Sequence, residues 1–234
     1  MNNFILVFRR DYKTKNIQPS TGILQAHLKK WQLWFDDLLS EGCLAAPIQK
    51  IDVEGRIIRN DMEIYNGPYV ELKESIGGFA FIRALEYEQA IAIAKSCPIL
   101  DMAGNVEIRK QIKTLNNIDI NILIYHQMND FVLTLRNRKH LNPAVVHQLH
   151  IALLKWYDKL AAEGKLSKSV HSFDLEGRTL RHDDVIIVGP YAEINEVICN
   201  ILVIKAHNYD DAIKLAKGCP ILEAGGNVEI RMEI

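Results

Sequence analysis

Residues 97–109 read CPILDMAGNVEIR, and residues 219–231 read CPILEAGGNVEIR. Ten of these thirteen positions are identical at a constant offset of 122 residues. Residues 54–74 and 176–196 share eleven of twenty-one positions at the same offset. Self-similarity this dense implies a tandem duplication, and it constrains the fold before any single residue does. A chain of 234 residues then divides into two units of about 100 residues each, an ordinary domain size. The expected boundaries are a first repeat at 1–112, a connector at 113–129 and a second repeat at 130–234.

Each copy reads as β-α-β-hairpin-β-α-β. The first opens with the apolar run Phe4–Phe8, of strand length and composition. The spacing predicts a helix over Thr21–Ser40, with Ile23, Leu24, Leu28, Trp31, Trp34, Phe35, Leu38 and Leu39 on one face and Gly42 as the stop. Leu44–Val53 and Arg56–Arg59 read as a hairpin turning at Glu54-Gly55. Pro68–Ser75 and Gly78–Ala84 read as two strands joined at Ile76-Gly77, followed by a helix at Glu86–Ala94 and a closing strand at Asn105–Gln111.

The second copy repeats the order. Phe131–Leu135 is the first strand, and a helix capped by Asn142 carries Val145, Val146, Leu149, Leu153, Trp156, Tyr157 and Leu160 inward. Leu166–Leu175 with Arg178–Arg181, then Pro190–Glu196 with Ile198–Ala206, read as strand pairs. A helix at Asn208–Lys217 and a strand at Asn227–Glu233 close the copy. The connector contains IDINILIYHQ, an alternating apolar pattern, and reads as ordered, with an added strand as one form of that order. Two helices on one face of four main strands is a ferredoxin-like α+β unit. Two such sheets packed face to face would form a pseudo-dimeric α+β barrel.

Composition excludes several classes. The net charge of -1 offers no basic surface for nucleic acid. The first apolar run is too short for a signal peptide or a membrane span. Cys43, Cys97, Cys199 and Cys219 form no CxxC pair and read as small buried thiols of a cytoplasmic protein. There is no G-x-G-x-x-G, Walker A, nucleophile elbow or Cys/His zinc spacing, so no cofactor is expected. His147 and His150 have i,i+3 spacing, but no further ligand is placed to complete a metal set.

The motifs Lys30-Trp31-x-x-Trp34, Glu41-Gly42, Glu54-Gly55-Arg56, Gly67-Pro68-Tyr69, Glu71-x-Lys73-Glu74, Gly77-Gly78, Cys97-Pro98 and Val106–Arg109 together resemble the YCII-related family, also called the DGPF domain family. Lys155-Trp156, Gly189-Pro190-Tyr191, Glu193, Glu196, Cys219-Pro220 and Val228–Arg231 carry the resemblance through the second copy. It implies a dimeric α+β barrel fold, and in part of the family a His–Asp pair with enzymatic chemistry. Asn66 and Val188 stand where the family has its DGPF aspartate.

Strand alternation picks out the candidate site. Val106 and Ile108 face one way, and Asn105, Glu107 and Arg109 the other; Tyr69, Glu71 and Lys73 share a face in the Pro68–Ser75 strand. Glu71, Lys73, Glu107 and Arg109 are therefore candidate ligand-binding residues for a small polar or anionic molecule. The alternative for the same residues is a set of cross-strand ion pairs. Lys73 has become Asn195 in the second copy, which makes the first the better candidate for a working site. His27, inside the apolar arc of its helix, reads as an acid–base group or as a hydrogen-bonded boundary residue. Three functions stay open: a small-molecule-binding or non-catalytic fused pseudo-dimer; a cofactor-free lyase, isomerase or dehalogenase using Glu71, Lys73, Glu107 and Arg109, with His27 as an outsider; and a structural or interaction module. A further homodimer of the fused chain is compatible with each.

Overall fold

A computed structural model describes residues 1–11, 21–50, 55–59, 61–66, 74–112, 128–138, 141–167, 170–173, 177–181, 183, 185–188 and 196–233. The elements of the first half are β1 (Asn2–Asp11), α1 (Thr21–Ser40), β2 (Leu44–Lys50), β3 (Arg56–Ile58), β4 (Ile64–Asn66), β5 (Glu74–Ala84), α2 (Tyr87–Lys95), a 3-10 turn (Pro98–Met102) and β6 (Asn105–Ile112). The second half gives β7 (Asn129–Arg138), α3 (Pro143–Ala162), β8 (His171–Phe173), β9 (Arg178–Leu180), β10 (Ile186–Val188), β11 (Glu196–Ala206), α4 (Tyr209–Ala216) and β12 (Asn227–Met232). The chain is a mixed α+β protein with antiparallel sheet throughout these strands.

Two compact units form, and neither follows the sequence order. In the first, the strands run β2-β5-β1-β6-β9-β10. In the second they run β8-β11-β7-β12-β3-β4. The β3-β4 hairpin of the first half thus extends the sheet built from the second half, and β9-β10 extends the sheet built from the first. The exchange is reciprocal and in equivalent register: Leu180 pairs with Val106, and Ile58 pairs with Val228.

This corrects two expectations. Among the described residues of 44–59, β2 and β3 do not pair with each other. β2 pairs with β5, and β3 turns back on β4 instead. The same holds for residues 166–181, where β8 pairs with β11 and β9 with β10. Nor is Ile76-Gly77 a turn, because β5 runs unbroken through it. Phe8 pairs with Gly78 and Arg9 with Ile76, so Gly77 is the extra residue of a β-bulge. Cys199 is the extra residue at the matching place in β11. A glycine pair that reads as a turn is equally suited to a bulge, and only the partner strand separates the two. The expected strand segments at 68–73 and 190–195, and the connector at 113–127, lie outside the described residues.

Each sheet packs its helices on one face. In the first unit Phe4, Leu6, Phe8, Ala80, Ile82, Val106, Ile108 and Leu180 meet Trp34 and Leu38 of α1 and Ala90 and Ala94 of α2. In the second, Phe131, Leu133, Leu135, Leu202, Val228, Ile230 and Ile58 meet Trp156, Tyr157 and Leu160 of α3 and Ala212, Ile213 and Ala216 of α4. Leu180 and Ile58 are wholly buried, and each such side chain contributes about 2 kcal/mol. The exchanged hairpins are therefore part of each core.

Local signals place the helices. Asn142 Oδ1 accepts from the Ala144 N–H at 2.9 Å, and Asn208 Oδ1 from the Asp211 N–H at 3.0 Å. Gly42 and Gly164 end α1 and α3 in the left-handed region, at φ of +66° and +65°. The inward faces are narrower than periodicity implies. Ile23, Leu28 and Leu39 of α1 and Val145 and Val146 of α3 are exposed.

Candidate functional site

The sheet face opposite the helices is buried as well, and it holds the charged residues. In the first unit Ile5, Val7, Phe79 and Phe81 share that face with Arg9, Asn105, Glu107 and Arg109. Cross-strand register puts Glu107 opposite Val7 on one side and Thr179 on the other. Glu107 lies between two guanidiniums. Arg9 Nε donates to its Oε2 at 3.1 Å, with Arg9 Nη2 on the same oxygen, and Arg109 Nη1 donates to Oε1 at 3.1 Å. All three side chains are at most 2% exposed.

The second unit builds the same network from its own strands. Arg136 Nη2 donates to Glu229 Oε2 at 2.6 Å, and Arg231 Nη1 donates to Oε1 at 3.0 Å. Glu229 lies opposite Thr134 and Ile57. Val132, Ile201 and Val203 are buried on the same face. Thr134 and Thr179 each bury a hydroxyl with no hydrogen-bond partner among the described residues.

Burial by itself would raise the pKa of each glutamate. The two guanidiniums, through charge and hydrogen bonds, outweigh it and hold Glu107 and Glu229 below the usual carboxylate range. Such a carboxylate stays ionised, with both oxygens engaged, and is a poor proton acceptor. Removing one partner of a buried ion network costs about 3–5 kcal/mol, because the remaining charges lose their counter-ion.

Of the residues expected to form a site, the structure brings Glu107 and Arg109 together. Glu71 and Lys73 lie outside the described residues. His27 is half-buried on α1, where its Nε2 accepts from the Trp31 indole N–H at 2.9 Å. Trp31 packs on the helix-side core, so the sheet separates His27 from Glu107. The residue overlooked in the sequence is Arg9, with its counterpart Arg136. The signal was present: Ile5, Val7 and Arg9 alternate onto one face, but the apolar run that marks the strand ends at Phe8.

The motif that repeats most strongly now has a physical reading. Cys97 and Pro98 begin the 3-10 turn, and Val106 and Ile108 enter the core. Gly104 is there because a Cβ would sit 2.5 Å from the Arg9 carbonyl oxygen; at Gly226 it would sit 2.3 Å from that of Arg136. The glycine therefore lets β6 and β12 approach the strands that carry the partner arginines.

Among the described residues no three His, Cys, Asp or Glu side chains gather as a metal site, and His147 and His150 are both exposed. No described helix is long and apolar enough to cross a membrane. The four cysteines form no disulfide, and burial pushes the Cys97 thiol far up and that of Cys219 up to about 12.

Residues 123–232 match the family model of the YCII-related domain. No curated protein matches the chain. Solved structures similar to it include one provisionally described as a chlorite dismutase, at TM-score 0.47 and 8% identity, covering 100% of this chain and 95% of that one. A mutant chlorite dismutase from Candidatus Nitrospira defluvii aligns at TM-score 0.44 and 6% identity, over 98% of this chain and 90% of its own. An unknown protein from Galdieria sulphuraria aligns at TM-score 0.27 and 9% identity, over 100% and 99%.

Proposed function

We propose that the chain is a duplicated YCII-like protein, two ferredoxin-like repeats forming a pseudo-dimeric α+β barrel, and that it binds a small molecule without transforming it. The repeated CPIL…GNVEIR motif and the matching strand orders of the two units support the duplication.

One observation carries the non-catalytic reading. The charge pair that best resembled chemistry, Glu107 with Arg109, is a closed ion network that recurs in the other unit as Glu229 with Arg231. A catalytic carboxylate needs access to substrate and a proton to exchange, whereas Glu107 is 1% exposed and held ionised by two arginines. Survival of the network in both copies fits a role in the shared architecture.

Native mass spectrometry of the protein after exposure to a metabolite extract tests this reading. The expected result is a noncovalent adduct whose released molecule is chemically unchanged after hours with the protein. Steady accumulation of a converted product would overturn it.

A further inference from the structure

The first unit carries an open groove of about 550 Å³ between α1 and α2, within the range of small-molecule sites. Its floor is apolar: Trp34 and Leu38 are buried beneath it, and Leu33 and Ile93 line its sides. Trp34 is held in place, since its indole N–H donates to Ser96 Oγ at 2.9 Å. At one end Lys30 Nζ meets Asp101 Oδ2 at 2.6 Å. At the other, Asp37 and Glu41 stand one helical turn apart, and neither meets a cation among the described residues.

Two like charges at i,i+4 spacing destabilise a helix by about 0.2–0.5 kcal/mol, so this pair is not explained by the helix itself. The second unit shows what the same positions look like when helix stability decides them. There Lys159 stands at the position of Asp37, while Glu163 keeps the glutamate of Glu41, and the two form an i,i+4 ion pair at 3.9 Å. Lys155 and Lys214 replace Leu33 and Ala92. On a common fold, one copy has Leu33, Asp37 and Ala92 along this groove where the other has Lys155, Lys159 and Lys214, while Glu41 and Glu163 are the same residue in both.

We propose that the α1–α2 groove of the first unit binds an organic cation, with its ammonium group at Asp37 and Glu41 and its apolar body along Leu33, Trp34 and Ile93. The proposal names the ligand class for the binding reading above and rests on it. An ammonium there converts a repulsive carboxylate pair into two charge-assisted hydrogen bonds. The apolar floor supplies area that a free metal ion or a bare amine would not use. Fusion of two copies would then have let one helix pair become a site while the other kept the self-paired arrangement.

The test uses 4-phenylbutylammonium as the probe and 4-phenylbutyrate as its charge-reversed counterpart, followed by NMR of the labelled full chain. The ammonium is expected to give saturable shifts of the Trp34 indole N–H and the Ile93 methyl groups, weakening as salt is raised. Asp37→Lys, which installs the residue found at position 159, is expected to weaken binding at least tenfold while keeping the fold. Glu41→Gln provides a milder variant, expected to weaken it severalfold. Absence of saturable shifts, equal titration by 4-phenylbutyrate, or unchanged affinity in both variants would overturn the proposal. Adducts from the extract that persist unchanged in Asp37→Lys would overturn this site and leave the broader binding reading standing.

Discussion

The guanidinium of Arg178 lies 4.6 Å from the centroid of the Tyr87 ring, directly over it, although ninety-one residues separate the two in sequence. Arg56 lies over Tyr209 at 4.7 Å in the other unit. Both arginines belong to the repeated Glu-Gly-Arg motif, and both tyrosines open a short helix of the opposite half. Each tyrosine hydroxyl also accepts a backbone N–H, from Lys110 and Met232 respectively, at 3.3 Å in both cases. The motif thus fastens each exchanged hairpin to its host unit.

Breaking that contact loosens the hairpin without touching the core. Arg178→Ala and Arg56→Ala are each expected to cost about 1 kcal/mol, as expected for a partly exposed cation–π pair. A double-mutant cycle of Arg178→Ala with Tyr87→Leu, followed by urea unfolding, isolates the pair. Additive losses would show that the ring and the guanidinium do not interact.

Gly104→Ala and Gly226→Ala force a methyl group into the Arg9 and Arg136 carbonyl oxygens and into Ile99 and Ile221. Each is expected to cost about 1–3 kcal/mol, the range for overpacking. Calorimetric unfolding checks this, and an unchanged midpoint in both variants would refute the steric account. Gly77→Ala is the contrast. Its Cβ would meet only the Phe8 carbonyl oxygen, at 3.9 Å, so little change is expected.

Element types were legible because they depend on local periodicity. Phe4–Phe8, the α1 and α3 repeats and Val106–Ile108 each state their own conformation. Partner choice was not legible. Arg56–Ile58 and Arg178–Leu180 read as strands, but three residues cannot say which edge they join. Both copies offer the same edge, since Val106 and Val228 occupy equivalent positions, so local pairing and exchange look alike in sequence. For the candidate site, alternation correctly put Glu107 and Arg109 on one face. It could not reveal Arg9, whose role depends on which strand lies beside β6. The contrast of Asp37 with Lys159 was also readable, but it gains meaning only once α2 is known to form the opposite wall.

His171 supplies a pH prediction. Burial lowers its pKa from 6.5 to about 4, so the folded protein keeps it neutral while the unfolded chain protonates it. Between those values the unfolded state binds the extra proton, and stability falls as pH drops from 6.5 toward 4. NMR titration of the His171 ring should show a midpoint near the lower value, and His171→Gln should flatten the stability slope in that window. A midpoint near 6.5 would contradict the burial.

The thiols divide by exposure. Cys97 and Cys219 are buried with raised pKa values, and Cys43 is 9% exposed, while Cys199 at the β11 bulge is partly exposed. Brief iodoacetamide treatment of the native protein should label Cys199 first, and mass spectrometry locates the adduct. Labelling of Cys97 or Cys219 at the same rate would mean that the helix–sheet core opens readily.

The most direct test of the account compares Glu107→Gln with Glu229→Gln by denaturant unfolding across pH. Both carboxylates have lowered folded pKa values, so their stabilisation is fully present above the unfolded value of 4.5 and is lost as pH falls below it toward the folded value. Each substitution removes that stabilisation at neutral pH, at a cost of about 3–5 kcal/mol, and flattens the acid limb. The account predicts similar losses in the two variants, because the networks do the same work in both units. A large loss from Glu229→Gln beside a near-neutral Glu107→Gln would contradict it, leaving Glu107 a residue kept for something other than architecture.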